Sequence, residues 1–186
     1  MESQKFCYTF NDLKNEQCDS LEKKFNDPYF NKEPVKDLRV LDLVQNSARG
    51  NNGVYMFFND SDCVYVGKAS SRSFVERIPA HFDLRESAWL NSLLNKVMEE
   101  EKHIKSLEEA LEETRKFHLL IISYADVHYG ARDAKEKADF ILQMERVFRV
   151  ILNPKYNKFS GRTYENLKNK ISGRCLGDAL DQLLAT

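Results

Sequence analysis

The chain has 186 residues, of which 42% are hydrophobic and 31% charged, and its formal net charge is −1. This length suits one domain with a sizeable core, and the near-zero charge excludes a whole-molecule field that attracts nucleic acid, so such affinity requires a local basic patch. The sequence shows no apolar run of membrane-spanning length and no signal-peptide stretch at its start, and its four scattered cysteines lack metal-site spacing, so we expect reduced thiols in a cytoplasmic protein without a membrane partner.

The first half of the chain predicts an extension followed by a β-hairpin. Residues 1–52 are polar with scattered aromatic side chains, and we interpret them as an N-terminal extension and a candidate DNA-recognition element. Two β-rich runs, 53–58 and 63–68, flank the turn formers at 59–62. This pattern predicts two antiparallel strands joined by a short turn.

The second half predicts helices around one further strand. Residues 86–115 show helical periodicity, and their charged stretch at about 99–114 exceeds what a small core needs, which predicts an insertion. The apolar run 116–124 predicts a buried strand, and 133–152 a helix that Asp133 caps and Asn153-Pro154 ends. The order of elements indicates an α+β fold with a small three-stranded antiparallel sheet flanked by helices, followed by a C-terminal tail at 158–186.

Glu145 occupies an unusual position in the helix predicted at 133–152. It falls in the middle of a stripe of apolar side chains at spacings of three and four, formed by Ala138, Ile141, Leu142, Phe148 and Leu152. A glutamate on a core face requires a counter-charge, a metal ion or a proton. The alternative is a helix so apolar that its stripe is ill-defined and Glu145 reaches the rim.

Five short motifs occur in one order along the chain. They are Gly53-Val54-Tyr55, Tyr65-Val66-Gly67-Lys68, Arg77 with His81 four residues later, Glu145, and Asn157 twelve residues after Glu145. Each alone is weak, because such tripeptides are common in strands. Together they resemble the GIY-YIG nuclease family, in motif detail its restriction endonucleases and the N-terminal nuclease domain of the bacterial excision-repair nuclease. The resemblance covers about residues 53–157 and implies the family's core fold there.

The resemblance implies the principal catalytic roles. Glu145 would hold one Mg²⁺ ion, with Mn²⁺ as a substitute, because hard cations prefer carboxylate and water oxygens. Arg77 would clamp the scissile phosphate with its planar guanidinium. Either Tyr55 or Tyr65 would orient or deprotonate the attacking water, which requires a nearby cation because a free phenol has a pKa of about 10.

Three further residues have supporting roles by the same resemblance. Lys68 would lower the pKa of a catalytic tyrosine, although a solvated strand-end lysine is the alternative. His81 would relay a proton or donate to phosphate, although Pro79 predicts a kink that leaves its helical register open. Asn157 would be a positioning residue, or simply a turn former after Pro154.

Joint catalysis by Tyr55 and Tyr65 places a geometric demand on the hairpin. Side chains alternate along a strand, so a tight four-residue loop at 59–62 pairs Phe58 with Cys63 and puts the two phenols on opposite faces. We therefore predict a three- or five-residue loop, or a β-bulge.

The best local basic patch follows Pro154. It interleaves aromatic residues with Lys155, Lys158, Arg162, Lys168, Lys170 and Arg174, against one acid, Glu165. These cations predict phosphate contacts beside the active site, with a solvated charged tail as the alternative.

These observations together predict a divalent-metal-dependent DNA endonuclease, site-specific and restriction-like, acting on double-stranded DNA. A structure- or damage-specific nuclease of repair or phage type is the first alternative, and an inactive nucleic-acid-binding protein the second. Cutting both strands with one site per chain favours a homodimer or sequential nicking.

Overall fold

The computed structural model describes residues 6–46, 51–85, 92–124 and 133–185. The strands in these ranges are β1 (Cys7–Thr9), β2 (Glu33–Pro34), β3 (Gly53–Asn59), β4 (Asp62–Ala69) and β5 (His118–Ser123). The helices are α1 (Phe10–Leu13), α2 (Cys18–Asn26), α3 (Val40–Asn46), α4 (Phe74–Ala80), α5 (Ser92–Glu100), α6 (Leu107–Thr114), α7 (Ala134–Leu152), α8 (Gly161–Ile171) and α9 (Leu176–Leu184). The predicted α+β class is confirmed.

The strands form one mixed sheet in the order β1-β5-β3-β4, with β2 also paired to β5. The three strands predicted from sequence, β3, β4 and β5, pair antiparallel. The sheet is nevertheless five-stranded, because residues before Gly53 add β1 parallel and β2 antiparallel to β5. The expected three-stranded sheet was too small, since β1 and β2 are only 3 and 2 residues long and leave no readable alternation.

A β-bulge in the β3–β4 hairpin confirms the geometric prediction. Phe58 pairs with Cys63, as the tight loop requires, but Phe57 pairs with Tyr65. Val64 is therefore the extra residue, and it restores Tyr55 and Tyr65 to one face of the sheet.

The single helix predicted at 86–115 is wrong within its described part, because the chain breaks between α5 and α6. Ile104 is buried in the break, and the Ser106 side chain accepts a hydrogen bond from the Glu109 N–H to start α6. Residues 86–91 of that prediction lie outside the described residues. By contrast, α7 begins at Ala134 with Asp133 as its N-cap and ends at Leu152, as predicted.

Both faces of the sheet are covered. One cluster packs Val54, Met56 and Phe58 of β3 against α7, α8 and α9. The other contains Tyr55, Phe57 and Tyr65 together with residues of α4 and α5. Because neither face of β3 meets water, its run from 53 to 58 is buried throughout.

The regions expected as an N-terminal extension and a C-terminal tail share this core. Leu21 and Phe25 of α2, and Leu176 and Leu180 of α9, belong to the cluster that α7 organises. The two regions also meet directly, because the Cys18 N–H donates to the Arg174 carbonyl over 3.0 Å. None of the described helices is long and apolar enough to cross a membrane.

Candidate functional site

The two motif tyrosines and His81 form a buried cluster on one face of the sheet. The Tyr55 and Tyr65 rings stack with centroids 6.5 Å apart, and the His81 ring lies within 5.5 Å and 5.2 Å of them. The Tyr55 hydroxyl is 2.6 Å from His81 Nε2. Residues from β3, β4 and the C-terminal end of α4 thus meet in one buried group, in which Tyr55 and His81 are hydrogen-bonded.

Gly67 makes room for the Tyr55 ring. The two residues pair directly across β3 and β4, and a Cβ atom added at Gly67 would lie 2.4 Å from Tyr55 Cζ. The glycine of the second motif is therefore a spatial requirement for the tyrosine of the first.

His81 reaches this cluster despite Pro79. The proline sits one residue before the end of α4, where few helical bonds remain to be lost, and His81 caps the helix in a right-handed conformation. His81 is fully buried, with 0% of its surface exposed. Pro79 left the orientation of His81 open, and the structure places its ring inside the tyrosine cluster.

Ser92 extends the hydrogen-bonded group. Its Oγ lies 3.3 Å from His81 Nδ1 and 3.4 Å from the Tyr65 hydroxyl. The resulting chain of polar groups runs from Tyr55 through His81 and Ser92 to Tyr65. No motif predicted Ser92, because one serine beginning a helix carries no signal by itself.

Glu145 is held by two cations near the phenols. Lys68 Nζ donates to Glu145 Oε2 over 2.7 Å, and Arg149 Nη1 lies 3.9 Å from Oε1. The Glu145 side chain keeps 12% of its surface exposed. It is therefore neither a core carboxylate without a partner nor a freely solvated one.

Arg149 is a second residue that the motifs did not single out. Its guanidinium lies 3.9 Å from the centre of the Phe159 ring, and its Nε donates to the Asn157 carbonyl over 2.7 Å. A cation four residues after a glutamate lies on the same helix face, so helical spacing was an available signal.

Asn157 contacts backbone rather than the phenols. Its side-chain amide donates to the Val66 carbonyl over 2.6 Å and accepts from the Val66 N–H over 3.2 Å. Just before it, the Tyr156 N–H donates to the Val64 carbonyl over 2.9 Å. Asn157 thus fastens the segment after α7 to the outer edge of β4, which is a positioning role.

Burial and charge set the protonation of the cluster. Burial raises the pKa of Tyr55 and of Tyr65, and the positive charge of Arg77 opposes the rise at both phenols. Burial, assisted by Arg77, lowers the pKa of His81 to about 3. At neutral pH the cluster holds a neutral imidazole, and Arg77 is the α4 cation that favours a phenolate.

The donor set restricts which metal ion fits. Among the described residues no group of three or more His, Cys, Asp or Glu side chains is arranged as a metal cage. Glu145 supplies one carboxylate, which suits Mg²⁺, since that ion keeps several water ligands and binds through one or two carboxylates with substrate phosphate. The donor set does not suit structural Zn²⁺, which takes four protein ligands.

The predicted basic patch is spread over several surfaces. Lys155 is paired with Glu101, whereas Lys158 and Arg162 are exposed. On α8, Lys168 and Lys170 point about 160° apart around the helix axis. Arg174 lies beyond the end of α8 and donates to the Lys170 carbonyl. The six cations do not form a single stripe.

No protein-family model, curated protein or solved structure matches this chain. The assignment of a function therefore depends on the residues and geometry described above.

Proposed function

We propose that the protein is a divalent-metal-dependent DNA endonuclease that hydrolyses phosphodiester bonds with a site of GIY-YIG type. The observation that carries the proposal is the meeting of Tyr55, Tyr65 and His81 beside the Lys68–Glu145 pair. These residues come from four separate elements. The antiparallel strands β3, β4 and β5 also agree with the core implied by the motifs.

Arg77 is the phosphate-binding residue in this proposal. Its charge acts on both phenols and on His81, so the guanidinium lies close enough to the cluster to affect all three side chains. A planar guanidinium donates two parallel hydrogen bonds to phosphate oxygens. A phosphate held there would lie beside the tyrosine hydroxyls.

The phenols orient and deprotonate the attacking water. Because burial raises both pKa values, a phenolate forms only when positive charge is close, which Arg77 provides. The imidazole of His81 hydrogen-bonds the Tyr55 hydroxyl and holds its direction. In-line attack of the water on phosphorus requires this fixed geometry.

Glu145 would hold the Mg²⁺ or Mn²⁺ ion, with Lys68 and Arg149 fixing the direction of its carboxylate. The ion, when bound, supplies charge stabilisation at the leaving oxygen. Lys68 and Arg149 contact different oxygens of the carboxylate. The carboxylate is thereby oriented without being fully enclosed.

Plasmid cleavage tests the proposal. We expect the wild-type protein to nick or linearise supercoiled DNA with Mg²⁺ or Mn²⁺ and to be inactive with a chelator. Glu145→Gln should lower the rate at least about a hundredfold while DNA binding persists, because a metal contributes several kcal/mol to such a transition state. Glu101→Gln is the matched control, since Glu101 also pairs with a lysine but lies outside the tyrosine cluster. Full activity of Glu145→Gln would refute the metal role.

Site-specific, restriction-like cleavage is the narrower form of the proposal. The folded segments outside 53–157, which include α2, α8 and α9, supply surface beyond a minimal core for reading sequence. Digestion of methylated and unmethylated genomic DNA separates the roles. Discrete fragments from the unmethylated sample alone favour restriction, whereas cleavage only at branches or damaged sites favours a repair or phage-type nuclease.

A nucleic-acid-binding protein without cleavage activity is the second candidate. The 2.7 Å ion pair between Lys68 and Glu145 favours it, because the lysine competes with a metal ion for the carboxylate. Double-stranded DNA binding that is unaffected by metal, with no cleavage of any substrate, would support this candidate.

Under the nuclease proposal, cleavage of both strands by one site per chain favours a homodimer.

A further inference from the structure

Ser92 occupies the gap between the His81 imidazole and the Tyr65 phenol. It is the first residue of α5, and its Oγ lies 3.3 Å from His81 Nδ1 and 3.4 Å from the Tyr65 hydroxyl. On the far side of the ring, Nε2 lies 2.6 Å from the Tyr55 hydroxyl. We propose that Ser92 is a positioning residue that joins both phenols to the imidazole as one proton relay. The inference rests on the proposed nuclease function and names how its base is organised.

Each member of the relay can both donate and accept one hydrogen bond. A serine hydroxyl does so directly, and a neutral imidazole donates from one nitrogen while accepting at the other. The chain therefore has two directions. In one, Tyr55 donates to His81, His81 to Ser92 and Ser92 to Tyr65, and in the other every donor and acceptor is exchanged.

The two directions differ in where the negative charge sits once the relay has lost one proton. With the first direction the charge is on Tyr65, which accepts from Ser92. Three transfers move the charge to Tyr55. The Tyr55 O–H breaks as His81 Nε2–H forms, Nδ1–H breaks as a Ser92 O–H forms, and the original Ser92 O–H breaks as a Tyr65 O–H forms. No proton is gained or lost in the exchange.

Tyr65 is the end of the relay that faces water. It retains 8% of its surface exposed, whereas Tyr55 and His81 retain 0%. The proton of the attacking water would be taken up by the Tyr65 phenolate, breaking the water O–H and forming the phenol O–H. Ser92 then connects the Tyr65 phenol to the hydrogen-bonded pair of His81 and Tyr55.

Charged groups face the relay from three elements. Arg77 of α4 acts on Tyr55, Tyr65 and His81. Glu145 and Arg149 of α7 and Lys96 of α5 act on Tyr65. Burial together with Arg77 lowers the pKa of His81 to about 3, so the imidazole passes a proton on rather than storing one.

The hydrogen bond between Tyr55 and His81 is short, whereas the two contacts of Ser92 are long. The 2.6 Å contact at Nε2 is a short hydrogen bond, while contacts of 3.3 Å and 3.4 Å exceed the usual range for hydroxyl donors. Catalytic hydrogen bonds that are long in a free enzyme commonly shorten when substrate binds. We therefore place the substrate-dependent step at Ser92.

The test uses Ser92→Ala and the conservative Ser92→Thr in the full chain. The first readout is the ¹⁵N chemical shifts of His81, which report the tautomer and need no DNA. We expect averaged shifts from two tautomers in the wild type, one fixed tautomer in Ser92→Ala, and recovery of averaging in Ser92→Thr. Ser123→Ala is the control, because it removes the same hydroxyl group, which at Ser123 is fully buried but donates to the Tyr8 carbonyl instead of contacting His81.

The second readout is plasmid cleavage by the same variants. We expect kcat to fall about tenfold in Ser92→Ala with little change in KM, a fraction of the 10²–10⁴ that general acid–base catalysis contributes. Unchanged His81 shifts, or an unchanged kcat, in Ser92→Ala would overturn the relay. A wild-type protein that cleaves no DNA would instead contradict the nuclease proposal, and the His81 shifts would still decide whether the relay exists.

Discussion

At the residue scale, Gly67 of the motif Tyr65-Val66-Gly67-Lys68 is required because the Tyr55 ring packs against it. Gly67 pairs with Tyr55 across the hairpin, and the Tyr55 hydroxyl oxygen would lie 2.5 Å from a Cβ atom added at Gly67. The Tyr55 ring is fully buried and contacts Phe57, Phe74 and His81, so it has little freedom to move aside.

We predict that Gly67→Ala destabilises the protein by about 1–3 kcal/mol, the usual cost of overpacking a core. The displaced phenol should also lose its hydrogen bond to His81. Chemical denaturation measures the first effect. In a Tyr55→Ala background the ring is absent, so the cost of Gly67→Ala should largely disappear. An equal cost in both backgrounds would show that the strand itself, rather than the ring, rejects the added methyl group.

The charged residues around Glu145 differ in how far the sequence reveals them. Glu145 was singled out because it interrupts an apolar stripe, and Lys68 because it follows a motif, yet their 2.7 Å contact spans two elements. Arg149 lies one turn after Glu145 but belongs to none of the motifs. A charged pair on one helix face was readable from sequence, whereas the stacking of Arg149 on Phe159 required coordinates.

At the element scale, α8 and α9 illustrate how charge can hide a buried face. The sequence predicts a basic tail from 158 to 186, because Lys and Arg outnumber acids over the first half of this segment. In the structure, Leu167 and Ile171 of α8, with Leu176 and Leu180 of α9, are buried against the cluster around α7. The positive residues Arg162, Lys168 and Lys170 occupy the remaining surface of α8, whereas the charged residues of α9 are acidic.

We predict that Leu180→Ala lowers the free energy of unfolding by about 2–5 kcal/mol, since Leu180 has 0% of its surface exposed and truncation leaves a cavity. Denaturant or thermal unfolding of the full chain measures the change. Asp181→Ala, an exposed neighbour on the same helix, is the control and should stay within about 0.5 kcal/mol of wild type. A Leu180→Ala protein as stable as the control would show that α9 does not belong to the cooperative core.

The break between α5 and α6 is likewise hidden by the local sequence pattern. Apolar residues recur at helical spacing on both sides of Glu99-Glu100-Glu101, so periodicity alone predicts one helix although these acidic residues interrupt its apolar stripe. Only the burial of Ile104 and the capping of α6 by Ser106 mark the turn. Local patterns therefore overestimated the length of this element.

At the scale of the whole molecule, the uncharged imidazole of His81 lies buried against Tyr55, Phe57 and Tyr65 of the sheet. His81 is fully buried and its neighbours include Arg77, whose charge disfavours a second cation. Protonation of the ring in the folded state is therefore costly, while the same ring in the unfolded chain titrates normally.

This difference predicts acid sensitivity of the fold. The His81 pKa is about 3 in the folded protein against 6.5 for an ordinary histidine, so between these values the unfolded chain binds more protons. The contribution to stability is fully present above pH 6.5 and is lost as pH falls toward 3. We expect the free energy of unfolding to decline over this window, measured by denaturation at a series of pH values.

His81→Gln isolates the contribution of His81 to the pH dependence of stability, because glutamine does not titrate. The slope of stability against pH between 3 and 6.5 should be shallower in this variant than in wild type. His103→Gln, which changes an exposed histidine, should keep the wild-type slope. Parallel slopes for all three proteins would place the acid sensitivity elsewhere.

The sequence by itself determined the α+β class and the strands β3, β4 and β5, because these depend on alternation, capping and turn formers within short stretches. It also named a β-bulge as one of three ways to place Tyr55 and Tyr65 on one face. Only the tertiary structure decided that Ser92 lies between His81 and Tyr65, that β1 and β2 join the sheet, and that α2, α8 and α9 share one core. Such contacts join residues far apart in the chain and are selected by space and burial. Gly67 illustrates both levels. The sequence places it in a motif, but only the structure shows why a glycine is needed there, which is the Tyr55 ring packed against it across the hairpin.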